Sequence, residues 1–412
     1  MHHKRTTCRG CGGTRLELFL SLGPTPLANA FLSSPEEFAS EPWFPLDVYF
    51  CHSCSLVQLC DVVDPEVLFR NYIYVTGTSE TIAAHNVRYA ETVVHRLGLA
   101  ADDLVVEVAS NDGSLLRCFR EAGTSVLGVE PATNIAALAV ERGVPTVNRF
   151  FDSSTARDVK REHGEAAAVI GNNVFAHVDE PIDFLRGCAN LMHADGLVII
   201  EVPYLGELVD RLEYDTIYHE HLCYFSVTAL THLFAAADLR ILDVERVPVH
   251  GGSLRLYGGS ASRHQDHGPI ALSMIDDETR QGLNEVTRFR RLAADVAQNR
   301  ADLLSLLRDL RERGHSIAAY GAPAKGNTLL NYCQIGPELV PWIADKAPLK
   351  HGHWTPGTHI PVVPAAELAA RQPDYALILA WNFAEEIIDQ QGEYRRQGGN
   401  FIVPIPHPTI IE

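Results

Sequence analysis

The feature that most constrains the fold is the stretch DLVVEVASNDGSLLRCF at residues 103–119, where an apolar run passes through a short polar loop into a helical pattern. Such a strand, loop and helix unit presents the free backbone N–H groups of its helix start to a ligand. About twenty residues later a second apolar run ends at Glu130, where a carboxylate can accept hydrogen bonds from both hydroxyl groups of a ribose. The loop ASNDGS contains Gly113 but lacks the second and third glycines of a dinucleotide-binding loop, so it leaves little room for a pyrophosphate. The sequence therefore predicts an α/β domain that binds a ligand with a ribose and no phosphates.

S-adenosylmethionine (SAM) is a ligand of this kind. The carboxylates of Glu107, Asp112 and Glu130 suit its ammonium group, its cationic sulfonium and its ribose hydroxyls. The full set of predicted cofactor-binding residues lies at the ends of predicted strands and comprises Glu107, Asn111, Asp112, Gly113, Glu130, Phe151, Asp152, Asn172 and Asn173.

The following chain repeats this strand pattern. Three further apolar runs, PTVNRFF, AAAVIGNNVFAHV and GLVIIEVPY, end in polar residues, and open α/β sheets bind ligands at the carboxyl ends of their strands. Two alternating runs around His250, Gly251 and Gly252 then predict an antiparallel hairpin. Five strand and helix units closed by an antiparallel hairpin are the strand inventory of a SAM-dependent methyltransferase.

The densest cluster of reactive side chains is YDTIYHEHLCYF at residues 214–225, which follows the fifth predicted strand at the same edge of the sheet. Histidine exchanges a proton near neutral pH, and a neighbouring Tyr or Glu can orient it or hold a substrate oxygen. A proton-transfer centre is the leading interpretation. Two alternatives remain open, namely a polar loop and metal binding by the histidines.

The N-terminal segment carries two CxxC pairs, formed by Cys8 with Cys11 and by Cys51 with Cys54. Paired CxxC motifs present four thiolates tetrahedrally, which predicts a structural zinc site rather than incidental cysteines. Because four thiolates leave no open position on the metal, the zinc should hold the fold and take no part in the chemistry.

Composition narrows the functional classes. The formal net charge of −18 disfavours nucleic acid as a partner, because phosphate backbones are bound by basic surfaces. No stretch approaches the ~20 uninterrupted apolar residues that span a bilayer. The N-terminus lacks the apolar core of a signal peptide, so a cytoplasmic location and no membrane association are expected.

The C-terminal part begins with another strand, loop and helix, HSIAAYGAPAKGNTLLNYC. Its loop has the glycine spacing of a Walker loop, but Asn327 stands where that pattern needs its lysine, so no nucleoside triphosphatase is predicted. Lys325 and Asn327 could hold an anion at the helix start. A local basic cluster of Lys346, Lys350, His351 and His353 is the expected docking place for a diphosphate, with a solvated loop as the alternative.

The predicted architecture is α/β with three domains and a connector. Residues 1–70 form a zinc-binding domain with four cysteine ligands, and residues 71–260 form a Rossmann-like SAM methyltransferase sheet that ends in the hairpin. Residues 261–300 form a helical connector, and residues 301–412 form a smaller Rossmann-like parallel sheet that contributes to nucleotide-sugar binding.

Taken together, six motifs resemble those of the sugar C-methyltransferases of deoxysugar biosynthesis, and the resemblance covers essentially the whole chain. They are CHSCSLVQL, NYIYVTGTS, VVEVASNDGSLL, IYHEHLCYFS, GAPAKGNT and PGTHIPV. The resemblance implies a thymidine-diphosphate 4-keto deoxysugar as substrate, methylated on the carbon beside the ketone. It also favours a monomer. C-3 is the expected position, and C-5 methylation or O- or N-methylation of a similar sugar are the alternatives.

The same resemblance implies site roles. The family's catalytic base falls on His221 and its partner on Tyr218, with Glu220, His177 and Tyr72 around the sugar. Glu220 is expected to orient a histidine or contact the sugar, and His219 is assigned to structure. The predicted substrate-binding residues are Tyr204, Lys325, Asn327, Lys346, Lys350 and His351. An RNA-binding zinc protein and a nicotinamide-dependent reductase are rival classes, disfavoured by the charge and by the missing GxGxxG loop.

Overall fold

The computed structural model describes residues 2–70, 80–249 and 251–412. No helix in these ranges is both long and apolar enough to cross a membrane.

The N-terminal part is a small antiparallel unit. Its elements are β1 (His2–Lys4), β2 (Leu16–Thr25), β3 (Phe44–Cys51), β4 (Val57–Leu59), β5 (Asp61–Val63) and α1 (Pro65–Phe69). Strands β2, β3 and β4 form a sheet whose free edge is completed by a two-residue strand from far along the chain, β11 (Cys223–Tyr224). Strands β1 and β5 pair separately. The segment predicted to carry the reaction therefore contributes a strand to the N-terminal sheet.

The central part holds a seven-stranded sheet flanked by helices. Its elements are α2 (Glu80–Leu97), β6 (Leu104–Val108), α3 (Ser114–Glu121), β7 (Ser125–Val129), α4 (Thr133–Glu141), β8 (Thr146–Val147), α5 (Ser153–His163), β9 (Ala166–Asn172), α6 (Pro181–Leu191), β10 (Met192–Pro203), α7 (Leu205–Asp210), α8 (Val227–Ala236), β12 (Leu239–Val247) and β13 (Ser253–Ser260). The strand order is β12-β13-β10-β9-β6-β7-β8. The five strands β8, β7, β6, β9 and β10 are parallel, and β13 is antiparallel to both of its neighbours. The predicted parallel units and closing hairpin are therefore present.

The central strands are buried on both faces. Successive side chains of a strand point to opposite faces, so Ile199 packs into the core on one side of the sheet and Ile200 into the core on the other. Because the chain order reverses between β6 and β9, a crevice opens between the carboxyl ends of these two strands. This crevice is where an open α/β sheet binds its ligand.

Two helices connect the central and C-terminal parts. They are α9 (Pro269–Arg280) and α10 (Val286–Glu312). The predicted boundary between residues 300 and 301 falls inside α10, and the division into domains stays a prediction. The helix continues through this boundary because residues 286–312 contain no glycine or proline and bury an apolar stripe on one face, formed by Phe289, Leu292, Val296, Leu303, Leu307 and Leu310.

The C-terminal part is a second, smaller sheet. Its elements are β14 (Ile317–Tyr320), α11 (Ala324–Cys333), β15 (Ile343–Asp345), β16 (Val362–Pro364), α12 (Glu367–Arg371), β17 (Tyr375–Ile378), α13 (Ala384–Gln390), α14 (Gly392–Arg396), β18 (Asn400–Val403) and β19 (Thr409–Ile411). The order is β16-β15-β14-β17-β18-β19, and only β19 runs antiparallel to its neighbour. Its core is continuous with α10 and with the N-terminal sheet, since the ring centroid of Phe289 in α10 lies 5.2 Å from that of Phe19 and 5.2 Å from that of Phe50.

Candidate active site

The four predicted zinc ligands come together in the N-terminal part. The sulfur atoms of Cys8, Cys11, Cys51 and Cys54 all lie within 4.8 Å of one another, with 3.5 Å between Cys8 and Cys54 and 3.6 Å between Cys11 and Cys51. Four sulfurs about 2.3 Å from a tetrahedral zinc would lie roughly 3.8 Å apart, so the cluster fits this metal. The side-chain amide of Gln58 donates a hydrogen bond to the Cys8 sulfur at 3.1 Å and favours its thiolate form. With four thiolates the site is closed, as a structural metal requires.

Two carboxylates line the crevice at the ends of β6 and β7. The Glu130 carboxylate accepts hydrogen bonds from the backbone N–H groups of Asn111 at 2.9 Å and Ala132 at 2.8 Å, which fix its orientation. Glu107 is buried, and its Oε2 atom has no hydrogen-bond partner among the described residues. Burial raises the pKa of Glu107 well above its usual range, and the charges of Glu130 and Asp112 raise it further. An unpaired buried carboxylate beside an oriented one fits a cationic ligand with ribose hydroxyls, so the residues present fit SAM.

The loop between β6 and α3 has a strained backbone. Asn111 and Gly113 adopt positive φ values of 49° and 73°, and a Cβ atom at Gly113 would lie 2.7 Å from Cγ2 of Val144. Glycine is therefore required at position 113. The predicted ammonium ligand Asp112 is fully buried and already pairs with Arg142 and with the Ser114 hydroxyl.

The remaining predicted cofactor residues divide into two pairs. Asn172 and Asn173 stand at the end of β9, where the Tyr89 hydroxyl donates to Oδ1 of Asn172 at 3.2 Å and Asn173 adopts a φ of 52°. Phe151 packs edge-on against Phe184. Asp152 is exposed and caps α5 by accepting from the Thr155 backbone N–H at 2.6 Å, a structural task that sequence pattern alone did not reveal.

The predicted base and its partner are in contact. Nδ1 of His221 lies 2.9 Å from the carbonyl oxygen of Thr216, and Nε2 lies 2.9 Å from the hydroxyl oxygen of Tyr218. Because a carbonyl oxygen can only accept, Nδ1 must carry a proton, and in the neutral ring Nε2 then keeps its lone pair. Tyr218 donates to that lone pair. The geometry thus presents one basic nitrogen with a hydroxyl beside it.

His177 joins this pair and places it at the crevice. Its ring centroid lies 5.0 Å from that of His221, and it follows the end of β9 by five residues. The backbone N–H of Leu222 donates to the Ala176 carbonyl at 2.7 Å. This hydrogen bond ties residues 214–225, the base segment, to the loop after β9 that carries His177. Burial lowers the pKa of His177 well below its usual range, and His221 lowers it further, so His177 is neutral near pH 7.

Four later residues of the base segment (residues 214–225) are held by the N-terminal part, namely His219, Glu220, Cys223 and Tyr224. Glu220 is buried and accepts a hydrogen bond of 2.6 Å from the side-chain amide of Asn29, a residue that sequence reasoning missed. His219 is buried and donates to the Pro45 carbonyl at 3.2 Å, in agreement with its structural assignment. Cys223 and Tyr224 then pair with β4. Asn29 lies in the run PLANAF, which carries no local signal of a site.

The last two predicted sugar-site residues are Tyr72 and Tyr204. Tyr72 lies outside the described residues. Tyr204 is buried, with the Arg246 guanidinium 5.0 Å from its ring centroid, and burial together with the charge of Glu278 raises its pKa. Its side-chain contacts therefore lie toward β12 and α9, while its backbone bridges Phe225 at the end of residues 214–225.

The predicted basic residues of the C-terminal part are largely occupied by protein partners. Lys350 donates to the Ala322 carbonyl at 2.8 Å, and Lys325 donates to the side chain of Asn382. Burial lowers the pKa of both lysines. Fully buried Asn327 donates to the Ala28 carbonyl at 2.7 Å and so links the C-terminal part to the loop that carries Asn29.

Two further members of the predicted basic cluster, Lys346 and His351, follow β15 in the chain. Exposed Lys346 donates to Gln390, and His351 donates to the Asp345 carbonyl at 2.8 Å.

Three family models match the chain in succession. A "Putative zinc binding domain" matches residues 8–69, a "Methyltransferase domain" matches residues 82–244 and a "C-methyltransferase C-terminal domain" matches residues 248–406.

Known proteins resemble the chain to different extents. The C-methyltransferase NovU of Streptomyces niveus is 40% identical over 404 residues, which are 98% of this chain and 96% of that protein. An uncharacterized methyltransferase of Bacillus pumilus is 24% identical over 149 residues, which cover 33% of this chain and 67% of that protein. The solved magnesium protoporphyrin IX methyltransferase of Synechocystis PCC 6803 covers 43% of this chain and 84% of its own, with 17% identity and a TM-score of 0.34. The likeness to NovU spans the four-cysteine cluster, the central sheet and the C-terminal sheet.

Proposed function

The chain belongs to the C-methyltransferase family as a SAM-dependent enzyme, and from this premise we propose that it methylates C-3 of a thymidine-diphosphate 4-keto deoxysugar. The observation that carries the proposal is the His221 imidazole, whose unprotonated Nε2 lies beside the Tyr218 hydroxyl at the SAM crevice. The sugar and its nucleotide rest on the resemblance of the motifs quoted above, which do not separate C-3 from C-5 methylation, so the choice of C-3 is left to the test below.

The chemistry requires a base. A carbon next to a ketone becomes a nucleophile only after it loses a proton, and a well-placed general base contributes about 10²- to 10⁴-fold to such a step. Nε2 of His221 takes the proton from C-3, and the Thr216 carbonyl stabilises the resulting imidazolium through Nδ1–H. The electron pair left on the carbon delocalises onto the ketone oxygen as an enolate. Bound SAM supplies the electrophilic methyl group.

Donors near the ketone oxygen stabilise the enolate. The Tyr218 hydroxyl and the neutral His177 ring both lie beside His221. Once Nε2 of His221 is protonated, the Tyr218 hydroxyl no longer donates to it and can donate to the enolate oxygen, as can the N–H of His177. Glu220, oriented by Asn29, is assigned to a hydroxyl or amino substituent of the sugar. Tyr72 and Tyr204 complete the proposed sugar site.

The nucleotide is placed on the C-terminal part. Two lysines converge near the loop that contains Ala322, because Lys350 donates to the Ala322 carbonyl and Lys325 follows three residues later. Lys346, His351 and Asn327 belong to the same proposed region. Binding of a diphosphate there would replace some of the protein partners that these side chains have now.

The test is hydrogen exchange in deuterated buffer. The enzyme with a thymidine-diphosphate 4-keto deoxysugar and no SAM should exchange deuterium into C-3, and SAM should then give a C-3 methyl product by NMR. Exchange and methylation at C-5 would move the proposal to that carbon, and O- or N-methylation without exchange would refute carbon methylation. His221→Ala should lose exchange and turnover while its SAM dissociation constant changes less than about twofold; exchange at the wild-type rate in this variant would overturn the base assignment.

A further inference from the structure

A buried link joins the base segment to the C-terminal part. The indole N–H of Trp381 donates a hydrogen bond of 2.6 Å to Oδ2 of Asp215, whose side chain is fully buried. Trp381 follows β17, whereas Asp215 directly precedes Thr216, the residue whose carbonyl receives Nδ1–H of His221. Two hydrogen bonds and one peptide unit therefore separate the indole of the C-terminal part from the imidazole of the proposed base.

The surroundings of this link are charged and closed. Nζ of Lys325 lies 4.3 Å from the centroid of the Trp381 ring and donates to Asn382. Burial raises the pKa of Asp215 to about 6, while Lys325 and the indole N–H lower it. Oδ1 of Asp215 has no hydrogen-bond partner among the described residues, so the indole is its main side-chain donor. Burying a carboxylate is costly unless it is paired and hydrogen-bonded, so the indole contact contributes directly to keeping Asp215 in place.

Tyr214, the residue before Asp215, is also held by α10 and the C-terminal part. The Tyr214 hydroxyl donates to Oδ1 of Asn299 in α10 at 2.9 Å, and the Asn299 amide donates to the Pro404 carbonyl at 2.9 Å. Both residues that precede Thr216 are thus fixed by α10 and the C-terminal part.

We propose that Trp381 and Asp215 are positioning residues for the proton transfer, because they hold the Thr216 carbonyl against Nδ1 of His221 and so keep the basic lone pair on Nε2. The inference rests on the proposed role of His221 as the base. Without the carbonyl, the neutral imidazole is free to carry its proton on Nε2, and in that tautomer it cannot accept a proton from the sugar.

The first test replaces the indole. Trp381→Phe keeps a ring under Lys325 and removes the donor to Asp215. The rate of deuterium exchange without SAM and kcat should both fall about 10- to 100-fold, the range expected for losing a hydrogen bond to a charged group. The KM for the sugar and the SAM dissociation constant should change less than about twofold, a split that a general loss of structure would not give. Trp342→Phe is the matched control, since this half-buried tryptophan of the same sheet packs against Arg371 and should leave all four quantities unchanged.

The second test changes the acceptor. Asp215→Leu should lower exchange as much as Trp381→Phe does, whereas Asp215→Asn keeps an acceptor oxygen and should retain most of the rate. The double variant Trp381→Phe/Asp215→Leu should lose no more than either single variant, because both remove one link. Should Trp381→Phe fail to fold, the contrast between Asp215→Leu and Asp215→Asn decides the matter.

The outcomes separate this inference from the proposed function. Wild-type exchange in folded Trp381→Phe or Asp215→Leu, or losses that multiply in the double variant, would overturn the positioning role while an inactive His221→Ala leaves the base in place. Persistent exchange in His221→Ala would instead overturn the proposed function itself.

Discussion

The two halves of the reaction site are built in opposite ways. The SAM crevice is made of neighbouring chain, since Glu130 is oriented by the backbone of Asn111 and Ala132, and Glu107 lies four residues before Asn111. The base segment depends on distant chain, because Asn29 and β4 hold it from one side and Trp381 from the other. Substitutions far from the SAM crevice should therefore leave SAM binding intact, whereas the position of the base depends on all three parts of the chain.

Removing the metal should have the largest effect, and it should affect the base segment more than the SAM crevice. In Cys51→Ser/Cys54→Ser, zinc should fall from one ion per chain to none, and methyl transfer should be abolished because the zinc part unfolds and β4 no longer supports β11. The affinity of this variant for SAM should fall less than its rate of deuterium exchange into the sugar. Metal analysis, exchange and calorimetry measure the three effects, with Cys118→Ser, a half-buried cysteine outside the cluster, as control. A metal-free variant that stays folded and active would contradict the structural role.

Glu130→Ala tests the other half. Losing charged hydrogen bonds to the ribose should raise the SAM dissociation constant about 10- to 100-fold. Deuterium exchange into the sugar without SAM should remain near the wild-type rate, since the base segment does not contact Glu130 among the described hydrogen bonds. Glu141→Ala, an exposed glutamate at the end of α4, serves as control. An unchanged SAM dissociation constant in calorimetry would remove the ribose role.

Asn29→Ala tests whether the base segment depends on its contact with the N-terminal part. The variant leaves Glu220 without its amide donor, and both kcat and exchange should fall about tenfold, with SAM affinity retained. Steady-state kinetics with Asn190→Ala, an exposed asparagine near the end of α6, gives the comparison. Equal rates in the two variants would show that Glu220 needs no support from the N-terminal part.

The smallest effect concerns pH. Burial raises the pKa of Glu107, so in the free enzyme this carboxyl stays partly protonated at pH values above the ordinary pKa of a glutamate. The cationic cofactor favours its ionised form. SAM binding should therefore release a proton, and the SAM affinity should rise with pH, by at most tenfold per unit, until the raised pKa is passed. Calorimetry in buffers of different ionisation enthalpy detects the proton. Glu107→Gln should bind without this release, and an unaltered release in that variant would assign the proton to another group.

Local patterns carried much of the fold. The strand, loop and helix unit predicted at residues 103–119 is present as β6 and α3. The two CxxC pairs converge as predicted. These features are set by periodicity and spacing within short stretches, which is the information a single sequence displays.

The tertiary contacts between residues far apart in the sequence could not be predicted. Nothing in PLANAF marks Asn29 as the partner of Glu220, and nothing around Trp381 marks it as the partner of Asp215, because tertiary packing alone decides these pairs. Asp112 likewise has the right residue type for a ligand contact, but its partner Arg142 comes from the end of another helix. The roles of Tyr72, Tyr204 and the basic cluster in substrate binding stay predictions.

Strand β11 belongs to the middle of the chain by sequence and to the first sheet by hydrogen bonding. A chimera that joins the N-terminal segment of one such enzyme to the remainder of another would have to match this seam as well as the peptide junction. Natural recombination and engineered swaps should therefore succeed most readily when the segment containing β4 and the segment containing β11 are inherited together.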